Sequence, residues 1–259
     1  MPTRSAIILA AGYGSRLDAD EGHKLVAQIG SRPLLSYHLD NFSRLGVEEV
    51  IVVTGFEANV LAEAVADIET PENMTVRCVP NEDFDGPNGL SVLTGVDALE
   101  DDDGQVPPFW LTMSDHLFSP DLFDDLAARF DRERPPRWQG ALIVDYKLDT
   151  IFDMPDATKI RTDDADFAIG KELVDFDAVD CGLFWCAPGF VDALRQAKSE
   201  HGGCSTSDGV EHLYREGHFG LWDIGEELWQ DVDTPGARAH AEKLVARGFA
   251  PGPAPKDGA

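Results

Sequence analysis

Positive charge is scarce in this sequence. Of its 259 residues, 21 are Lys or Arg and 48 are Asp or Glu, which gives a formal net charge of −27 at pH 7. Because nucleic acids and anionic membranes are bound by surfaces rich in basic side chains, this balance argues against both as partners. The excess of Asp over Lys is typical either of a protein from a salt-loving organism or of one that is merely acidic.

Long apolar runs and paired cysteines are also lacking. No stretch approaches about 18 uninterrupted apolar residues, and no basic and apolar leader precedes the first predicted strand. We therefore predict no membrane insertion and a soluble, cytoplasmic protein. The four cysteines form no C-x-x-C pair, which argues against a zinc ribbon or a disulfide framework, and we interpret them as buried thiols.

Two common phosphate-binding motifs are absent from the glycine-rich segment "AIILAAGYGSRL", residues 6–17. A dinucleotide fingerprint would need a third glycine where Leu17 stands, and no G-x-x-x-x-G-K-[ST] motif occurs. What remains is G-x-G-x-R, in which Arg16 could hold a polyphosphate, with Lys24 following. The alternative interpretation is a plain tight turn.

Apolar runs alternate with helical patterns along the first half of the chain. Strands are predicted at residues 6–10, 49–55, 74–80, 108–115 and 140–146, and helices at 33–45, 57–68, 89–99 and 120–130. This alternation predicts an α/β fold, Rossmann-like, with a mostly parallel twisted sheet flanked by helices. A small insertion at about 146–190, a mainly helical stretch at 192–216 and a closing helix at 234–247 follow. We expect residues 1–249 to form a single domain and residues 250–259 to be a disordered tail.

The motifs "LAAGYGSRL" and "HKLVAQIGSRPLL" resemble the sugar- and alcohol-phosphate nucleotidyltransferase family. Seven later segments, in order, are similar to the cytidylyltransferase branch that activates inositol-1-phosphate: "PNGLSVL", "MSDHLF", "DATKI", "IGKEL", "VDCGLF", "SDGVEHL" and "WQDVDTP". Two positions depart from the family pattern, with His23 in place of a proline and Cys181 in place of a threonine. The second change could alter the acceptor pocket. Members of this branch are often fused to a membrane-embedded partner, and we expect this chain to be the soluble half alone.

The resemblance implies a role for each group of residues in a nucleotidyltransferase fold. Arg16 would grip the leaving phosphates, and Lys24 would stabilise the transition state at the α-phosphate. The nucleotide would be bound by Leu9, Ala11, Gly12, Gly14, Ser15, Asn88, Gly89 and Ser91, and a side chain at Gly89 would fill the space of the base. The family places Mg²⁺ on Asp115 and Asp233. Asp231, on the same side of an extended segment as Asp233, is a reserve candidate.

The acceptor site is predicted in the second half of the chain, where lysines are concentrated. The candidates are Lys147, Lys159 and Lys171 for the phosphate, and Asp180 and Gly182 for the hydroxyl groups. This set favours a polyol phosphate, because a choline group would need an aromatic box. We interpret His116 as structural or outer-shell, Asp208 as a helix N-cap paired with Glu211, and Trp222 and Trp229 as core.

The sequence thus predicts a Mg²⁺-dependent cytidylyltransferase that joins CTP and an alcohol phosphate, with inositol-1-phosphate as the best acceptor. Its expected partners are these small molecules, with a homodimer as a further option. The alternatives are a nucleotidyltransferase for phosphocholine, a phosphonate or a sugar-1-phosphate, and a catalytically inactive nucleotide-sensing regulator. The joint presence of Arg16, Lys24, Asp115 and Asp233 argues against the regulator.

Overall fold

A computed structural model describes residues 3–13, 23–163 and 167–249. Its strands are β1 Ser5–Ala10, β2 Gln28–Ile29, β3 Arg32–Pro33, β4 Glu49–Thr54, β5 Thr75–Pro80, β6 Phe109–Met113, β7 His116–Phe118, β8 Gly140–Asp145, β9 Lys159–Arg161, β10 Ala168–Gly170, β11 Ala178–Cys186, β12 Phe219–Asp223 and β13 Trp229–Asp231. Its α-helices are α1 Leu34–Arg44, α2 Ala58–Ala66, α3 Asn88–Asp97, α4 Pro120–Glu133, α5 Pro188–His201, α6 Thr206–Arg215 and α7 Pro235–Ala246. Short 3₁₀ turns occur at Lys24–Val26 and Leu148–Thr150.

The central sheet is mixed and has the strand order β10-β9-β11-β6-β1-β4-β5, with β8 paired to β11 and β12 paired to β8. The strands β6, β1, β4 and β5 are mutually parallel, and β12 is parallel to β8. β11 runs antiparallel to its neighbours β6, β8 and β9. The predicted fold class, a mostly parallel sheet flanked by helices, is confirmed.

The side chains of β1 alternate between two apolar layers, as expected for a strand that is covered on both faces. Ile7 and Leu9 pack into a cluster with α3, α5 and α6, whereas Ala6 and Ile8 pack into a cluster with α1, α2 and α4. Every residue of β1 is buried. The sheet is therefore the middle layer of three, and its central strands end in the interior of the molecule, where a ligand site can form.

The helical stretch predicted at 192–216 is two helices, because Gly202 at φ +78° ends α5. The predicted cap of the second helix is wrong. Ser205 is the N-cap of α6, its hydroxyl accepts from the Asp208 backbone N–H at 3.2 Å, and the Asp208 carboxylate accepts from the Ser205 backbone N–H at 2.7 Å. The capping box thus begins three residues before the predicted position, and Glu211 has no part in it.

The insertion contributes strands to the edge of the same sheet. β9 and β10 form an antiparallel pair, and β11 returns through the sheet between β6 and β8. The register of β11 against β8 shifts between Asp180 and Phe184, and Gly182 within this bulge has φ +71°. Bulges of this kind re-aim side chains next to functional sites. Here the bulge lies beside the cavity described below.

A two-stranded sheet formed by β7 and β13 joins two distant parts of the chain. His116 pairs with Asp231, and the Val232 backbone N–H donates to the Asp115 carbonyl oxygen at 2.6 Å. Asp115 and Asp233 are thereby brought to one place. None of the helices in the described ranges is long and apolar enough to cross a membrane.

Candidate active site

A cavity of about 470 Å³ opens at the carboxyl ends of β1 and β6. Its wall begins at Leu9, Ala11 and Gly12 after β1, and it continues past Lys24 to the bulge of β11 at Asp180. This position agrees with the general preference of open α/β sheets for ligands at the carboxyl ends of their strands.

Lys24 and Asp115 form the best-defined ion pair of the cavity. The Lys24 ammonium donates to Asp115 Oδ2 at 2.8 Å, and Asp115 Oδ1 lies 3.0 Å from Nδ1 of His116. Burial alone would raise the pKa of Asp115, but the hydrogen bonds and positive charges of His116 and Lys24 hold that pKa well below its usual value. Asp115 is therefore an ionised carboxylate at neutral pH.

Three further carboxylates meet beside this pair. One oxygen from each of Asp156, Asp231 and Asp233 lies within 4.8 Å of the others. Burial and the neighbouring carboxylates of Asp233 and Asp115 raise the pKa of Asp231, although His116 opposes the shift. Carboxylates this close repel one another unless a cation lies between them, and hard oxygen ligands are those that Mg²⁺ prefers. The reserve candidate Asp231 thus joins Asp233, and Asp156 was not predicted as a ligand.

Most of the residues predicted to bind the nucleotide line the cavity, among those within the described ranges. Leu9, Ala11, Gly12, Asn88 and Ser91 line it. Gly14, Ser15 and Arg16 lie outside the described residues.

The side chain of Asn88 is engaged by the start of α6. Its Oδ1 accepts from the Thr206 backbone N–H at 2.9 Å, and its Nδ2 donates to the Thr206 hydroxyl at 3.2 Å. Gly89 does not line the cavity. A Cβ on Gly89 would lie 2.5 Å from the carbonyl oxygen of Cys204, so the structure assigns this glycine to packing against the loop before α6 and not to the space of a base. Both residues connect α3 to α6.

Of the residues predicted to bind the acceptor, Asp180, Gly182 and Lys171 line the described part of the cavity. The Lys171 ammonium pairs with Asp156 at 3.0 Å. Burial raises the pKa of Asp180 to about 6, although the Gly182 backbone N–H and the nearby His116 lower it. Asp180 is thus held in an environment that disfavours its charge, which is common for groups that bind or react.

Lys147 and Lys159 are located elsewhere. Lys147 pairs with Asp145 at 2.9 Å and donates to the carbonyl of Gly225. Lys159 is 7% exposed, and its ammonium donates to the carbonyl oxygens of Ala157 at 3.2 Å and Lys171 at 2.6 Å. Neither lysine lines the described part of the cavity. Of the three lysines predicted to bind the acceptor, Lys171 lines the described part of the cavity, whereas Lys147 and Lys159 form contacts within the protein itself.

Several cavity residues escaped the sequence reasoning, and one residue expected in the core has a second role. His23, Asp156, Thr206 and Trp229 all line the cavity. Trp229 packs against an apolar core cluster, as expected, and its indole also lies 5.6 Å from the His116 ring at an interplanar angle of 7°. The motifs "DATKI" and "WQDVDTP" contain Asp156 and Trp229. The sequence therefore indicated the two segments, but not which of their residues line the cavity.

The cysteines differ in part from their predicted environment. Cys181 is fully buried in an apolar cluster and is not among the residues that line the cavity, so the Thr-to-Cys departure does not touch the acceptor site directly. Cys186 and Cys204 are also buried, as predicted, whereas Cys78 is partly exposed. All four are free thiols.

The described wall of the cavity is strongly acidic. It contains the lysines Lys24 and Lys171 against five aspartates, which are Asp115, Asp156, Asp180, Asp231 and Asp233. A polyanionic ligand would be repelled by this wall unless further positive charge accompanied it. The site is therefore suited to ligands that arrive with a divalent cation.

Comparisons with known proteins agree with this geometry. A bifunctional IPC transferase and DIPP synthase of Rubrobacter xylanophilus is 28% identical over 243 residues, which are 93% of this chain and 51% of that protein. The protein of the same name from Archaeoglobus fulgidus is 26% identical over 88% of this chain and 41% of its own length. A CMP-5'-(3-aminopropyl)phosphonate synthase of Streptomyces rubellomurinus is 28% identical over 93% of this chain and 38% of its own. This chain thus spans about half the length, or less, of the relatives it matches.

Among solved structures, the inositol-1-phosphate CTP transferase from T. maritima has the same fold. It superposes with a TM-score of 0.76 at 22% identity and covers 96% of this chain and 97% of its own. Residues 6–156 match the family described as the MobA-like NTP transferase domain. With its three-layer fold and its acidic cavity at the strand ends, the chain belongs to the family of MobA-like NTP transferase domains.

Proposed function

We propose that this chain is a Mg²⁺-dependent cytidylyltransferase that joins CTP and inositol-1-phosphate to give CDP-inositol and pyrophosphate. The observation that carries the proposal is the two-ended cavity. Lys24, Asp115 and Gly12 line this cavity together with Lys171, with Asp180 at the bulge of β11, and with the carboxylates of Asp231 and Asp233. The two substrates are those named for the inositol-1-phosphate CTP transferase with the same fold, and relatives named IPC transferases are similar over most of this chain.

The cluster of aspartate side chains in the cavity fits a divalent metal ion. Asp156, Asp231 and Asp233 offer oxygens within 4.8 Å of one another, and Asp115 lies in the same cavity. We propose Asp115 and Asp233 as the metal ligands, with Asp231 as a further candidate. A bound Mg²⁺ would supply the positive charge that lets a triphosphate and a phosphomonoester approach each other in this acidic wall.

The chemistry needs no covalent enzyme intermediate. An oxygen of the acceptor phosphate attacks the α-phosphorus of CTP, a new P–O bond forms, and the bond from the α-phosphorus to the bridging oxygen breaks. Pyrophosphate leaves with that electron pair. No general base is required, because the attacking group is already an anion. The protein therefore has to align the two phosphates and neutralise their charge, for which Lys24 is the described candidate at the α-phosphate.

The remaining roles follow the two ends of the cavity. We propose that Leu9, Ala11, Gly12, Asn88 and Ser91 bind the nucleotide, together with Gly14, Ser15 and Arg16 of the first loop. At the acceptor end, Lys171 would hold the phosphate, and Asp180 would accept hydrogen bonds from ring hydroxyls. Lys147 pairs with Asp145, and Lys159 donates to the carbonyl oxygen of Lys171. We therefore propose that neither lysine contacts the acceptor directly. We propose that the protein acts in the cytoplasm.

A phosphonate is the second candidate acceptor, and the relative named as a CMP-5'-(3-aminopropyl)phosphonate synthase favours it. The acidic wall near Asp156 and Asp180 could bind an ammonium group as well as hydroxyl groups. An aminoalkylphosphonate therefore has to be included in any test of acceptor choice.

Acceptor choice is tested by pyrophosphate release with CTP and a panel of acceptors. The panel contains inositol-1-phosphate, phosphocholine, an aminoalkylphosphonate and glucose-1-phosphate. We expect the highest kcat/KM for inositol-1-phosphate. A phosphonate or phosphocholine that is better by about tenfold, which is about 1.4 kcal/mol of transition-state binding, would overturn the acceptor assignment and leave the cytidylyltransferase proposal standing.

A further inference from the structure

His116 is fixed in place by contacts on several sides. Its ring lies 5.6 Å from the Trp229 ring at 7° and 6.1 Å from the Phe118 ring at 19°. Trp229 is itself anchored, because its indole N–H donates to Asp145 Oδ2 at 3.1 Å. The side chain of His116 is only 15% exposed. The orientation of the ring is therefore determined by the fold before any ligand binds.

The bulge of β11 makes room for this ring. A Cβ on residue 182 would lie between 2.7 and 2.9 Å from three atoms of the imidazole, a separation that real Cβ atoms do not show. Gly182 also has φ +71°, a conformation that side chains other than glycine rarely adopt. The backbone conformation and the contact with the ring thus both favour glycine at position 182. Because this glycine has no side chain, the imidazole of His116 can pack directly against the bulge.

The imidazole of His116 lies within hydrogen-bond distance of the Asp115 carboxylate. Nδ1 of His116 lies 3.0 Å from Asp115 Oδ1, while Asp115 Oδ2 accepts from the Lys24 ammonium at 2.8 Å. An ionised carboxylate only accepts hydrogen bonds, so Nδ1 must carry the proton. With one donor on each oxygen, the carboxylate cannot rotate freely.

We propose that His116, whose ring also lines the cavity, is a positioning residue that orients the Asp115 carboxylate for the divalent metal and acts through that carboxylate. This inference rests on the proposed function, since it takes Asp115 as a metal ligand. Groups that hold a metal ligand in place typically change metal affinity or activity by about 10- to 100-fold when they are removed. The same range is expected here.

The test measures Mn²⁺ affinity of the full chain without substrates, from the electron paramagnetic resonance signal of free Mn²⁺. His116→Phe keeps a flat ring between Trp229 and Gly182 but lacks the N–H, and it should weaken Mn²⁺ binding by about tenfold or more. His116→Asn places an amide N–H near the position of Nδ1, and it should restore most of the affinity. His201→Asn, at an exposed histidine of α5, is the matched control and should bind Mn²⁺ as the wild type does.

Asp115→Asn separates the two proposals. If this variant binds Mn²⁺ as tightly as the wild type, Asp115 is not a metal ligand and the metal assignment of the proposed function fails. If it loses affinity while His116→Phe does not, the positioning role is wrong. An equal loss in His116→Phe and His116→Asn would also overturn the hydrogen-bond account. A rise in KM for CTP or acceptor with unchanged Mn²⁺ affinity would indicate direct substrate contact instead.

A measurement on the wild type covers the case in which His116→Phe does not fold. Long-range ¹H–¹⁵N spectra of histidine-labelled protein report which ring nitrogen carries a proton. We expect the His116 resonance, assigned by its loss in His116→Asn, to show a protonated Nδ1. An unprotonated Nδ1 would contradict the proposal, because the ring could not then donate to Asp115.

Discussion

Lys24 is the described cation that we propose at the α-phosphate. Its side chain is 13% exposed and its ammonium lies 2.8 Å from Asp115. Lys24→Ala should lower kcat/KM by at least about 10², the order expected for the loss of one aimed charge-stabilising group. Steady-state kinetics with CTP and inositol-1-phosphate measure this effect, and Lys243→Ala on the exposed face of α7 is the control. A loss below about tenfold would point to another residue at the α-phosphate.

The partly buried side chain of Asp180 should lower the free energy of unfolding at neutral pH, where it is ionised. Burial raises its pKa to about 6, above the value of about 3.9 expected in the unfolded chain. Folding is therefore favoured by this group only while it is protonated, and its contribution falls as pH rises from about 4 to 6 and stays low above that range. Asp180→Asn removes this dependence, so its Tm should exceed the wild-type Tm by more at pH 8 than at pH 4.5.

The control for Asp180 is Asp175→Asn, at an exposed position of the same region. Its effect on the Tm should be smaller than that of Asp180→Asn at pH 8. Since Asp180 is also proposed to bind the acceptor, Asp180→Asn should raise the KM for inositol-1-phosphate. A Tm difference that does not grow with pH would contradict the linkage argument.

At the scale of elements, Lys159 connects two segments of the proposed acceptor site by hydrogen bonds. Its ammonium donates to carbonyl oxygens on either side of Asp156 and to the carbonyl of Lys171. Lys159→Met keeps the apolar stem but leaves these carbonyls without their donor, which destabilises the segment. We expect a KM for the acceptor raised several-fold, with the KM for CTP within about twofold of wild type, and a lower Tm.

Lys198→Met, on the exposed side of α5, is the matched control for Lys159→Met. It should leave both KM values and the Tm unchanged. If Lys159→Met raised the KM for CTP as much as that for the acceptor, the segment would not belong to the acceptor end alone.

The contact between α3 and the loop before α6 gives a second prediction about elements. A Cβ at Gly89 would lie 2.5 Å from the Cys204 carbonyl oxygen and 2.8 Å from its Sγ. Gly89→Ala should therefore lower stability by about 1–3 kcal/mol, the usual cost of overpacking. Thermal unfolding measures the effect, and Gly170→Ala, whose Cβ would meet nothing within 4 Å, is the control. An unchanged Tm for Gly89→Ala would show that the loop yields easily.

Elements with a clear apolar pattern could be predicted from the sequence, and contacts between distant polar groups could not. β1 and β4 were predicted nearly to the residue, because their apolar residues form continuous runs. The burial of Lys159 depends on carbonyl groups whose direction is set by the turn at 155–157, and no side-chain pattern reports that direction. The link between Asn88 and Thr206 joins residues that only the tertiary fold brings together.

For the candidate site, the sequence indicated the motifs better than the residues within them. Lys24, Asp115 and Asp233 line one cavity as expected. Asp115 follows β6 at the carboxyl edge of the parallel strands, whereas the pairing of β13 with β7 brings Asp233 to the same place. Asp156 and Trp229 were missed, since two further folding events bring them to the site: the insertion at 146–190 and the pairing of β13 with β7. Such pairing depends on backbone hydrogen bonds, which residue types do not encode directly.

At the scale of the whole molecule, the formal net charge of −27 opposes folding through repulsion between surface carboxylates. Salt screens this repulsion, and at 1 M the screening length is only about 3 Å, so simple screening is nearly complete well below that concentration. If the acidic surface is adapted to high salt, the Tm should continue to rise by several degrees between about 0.5 and 3 M KCl. A curve that becomes flat or falls above about 0.5 M would indicate a protein that is merely acidic.

The central claim is that the cavity transfers the cytidylyl group of CTP to the phosphate of inositol-1-phosphate. The most direct measurement uses acceptor labelled with ¹⁸O in its phosphate oxygens, with both products followed by ³¹P NMR. Attack by the acceptor oxygen on the α-phosphorus predicts that CDP-inositol carries ¹⁸O in the bridge between its two phosphorus atoms, and that the released pyrophosphate carries none. Label in the pyrophosphate, or no CDP-inositol from wild-type enzyme in the presence of Mg²⁺, would contradict the account.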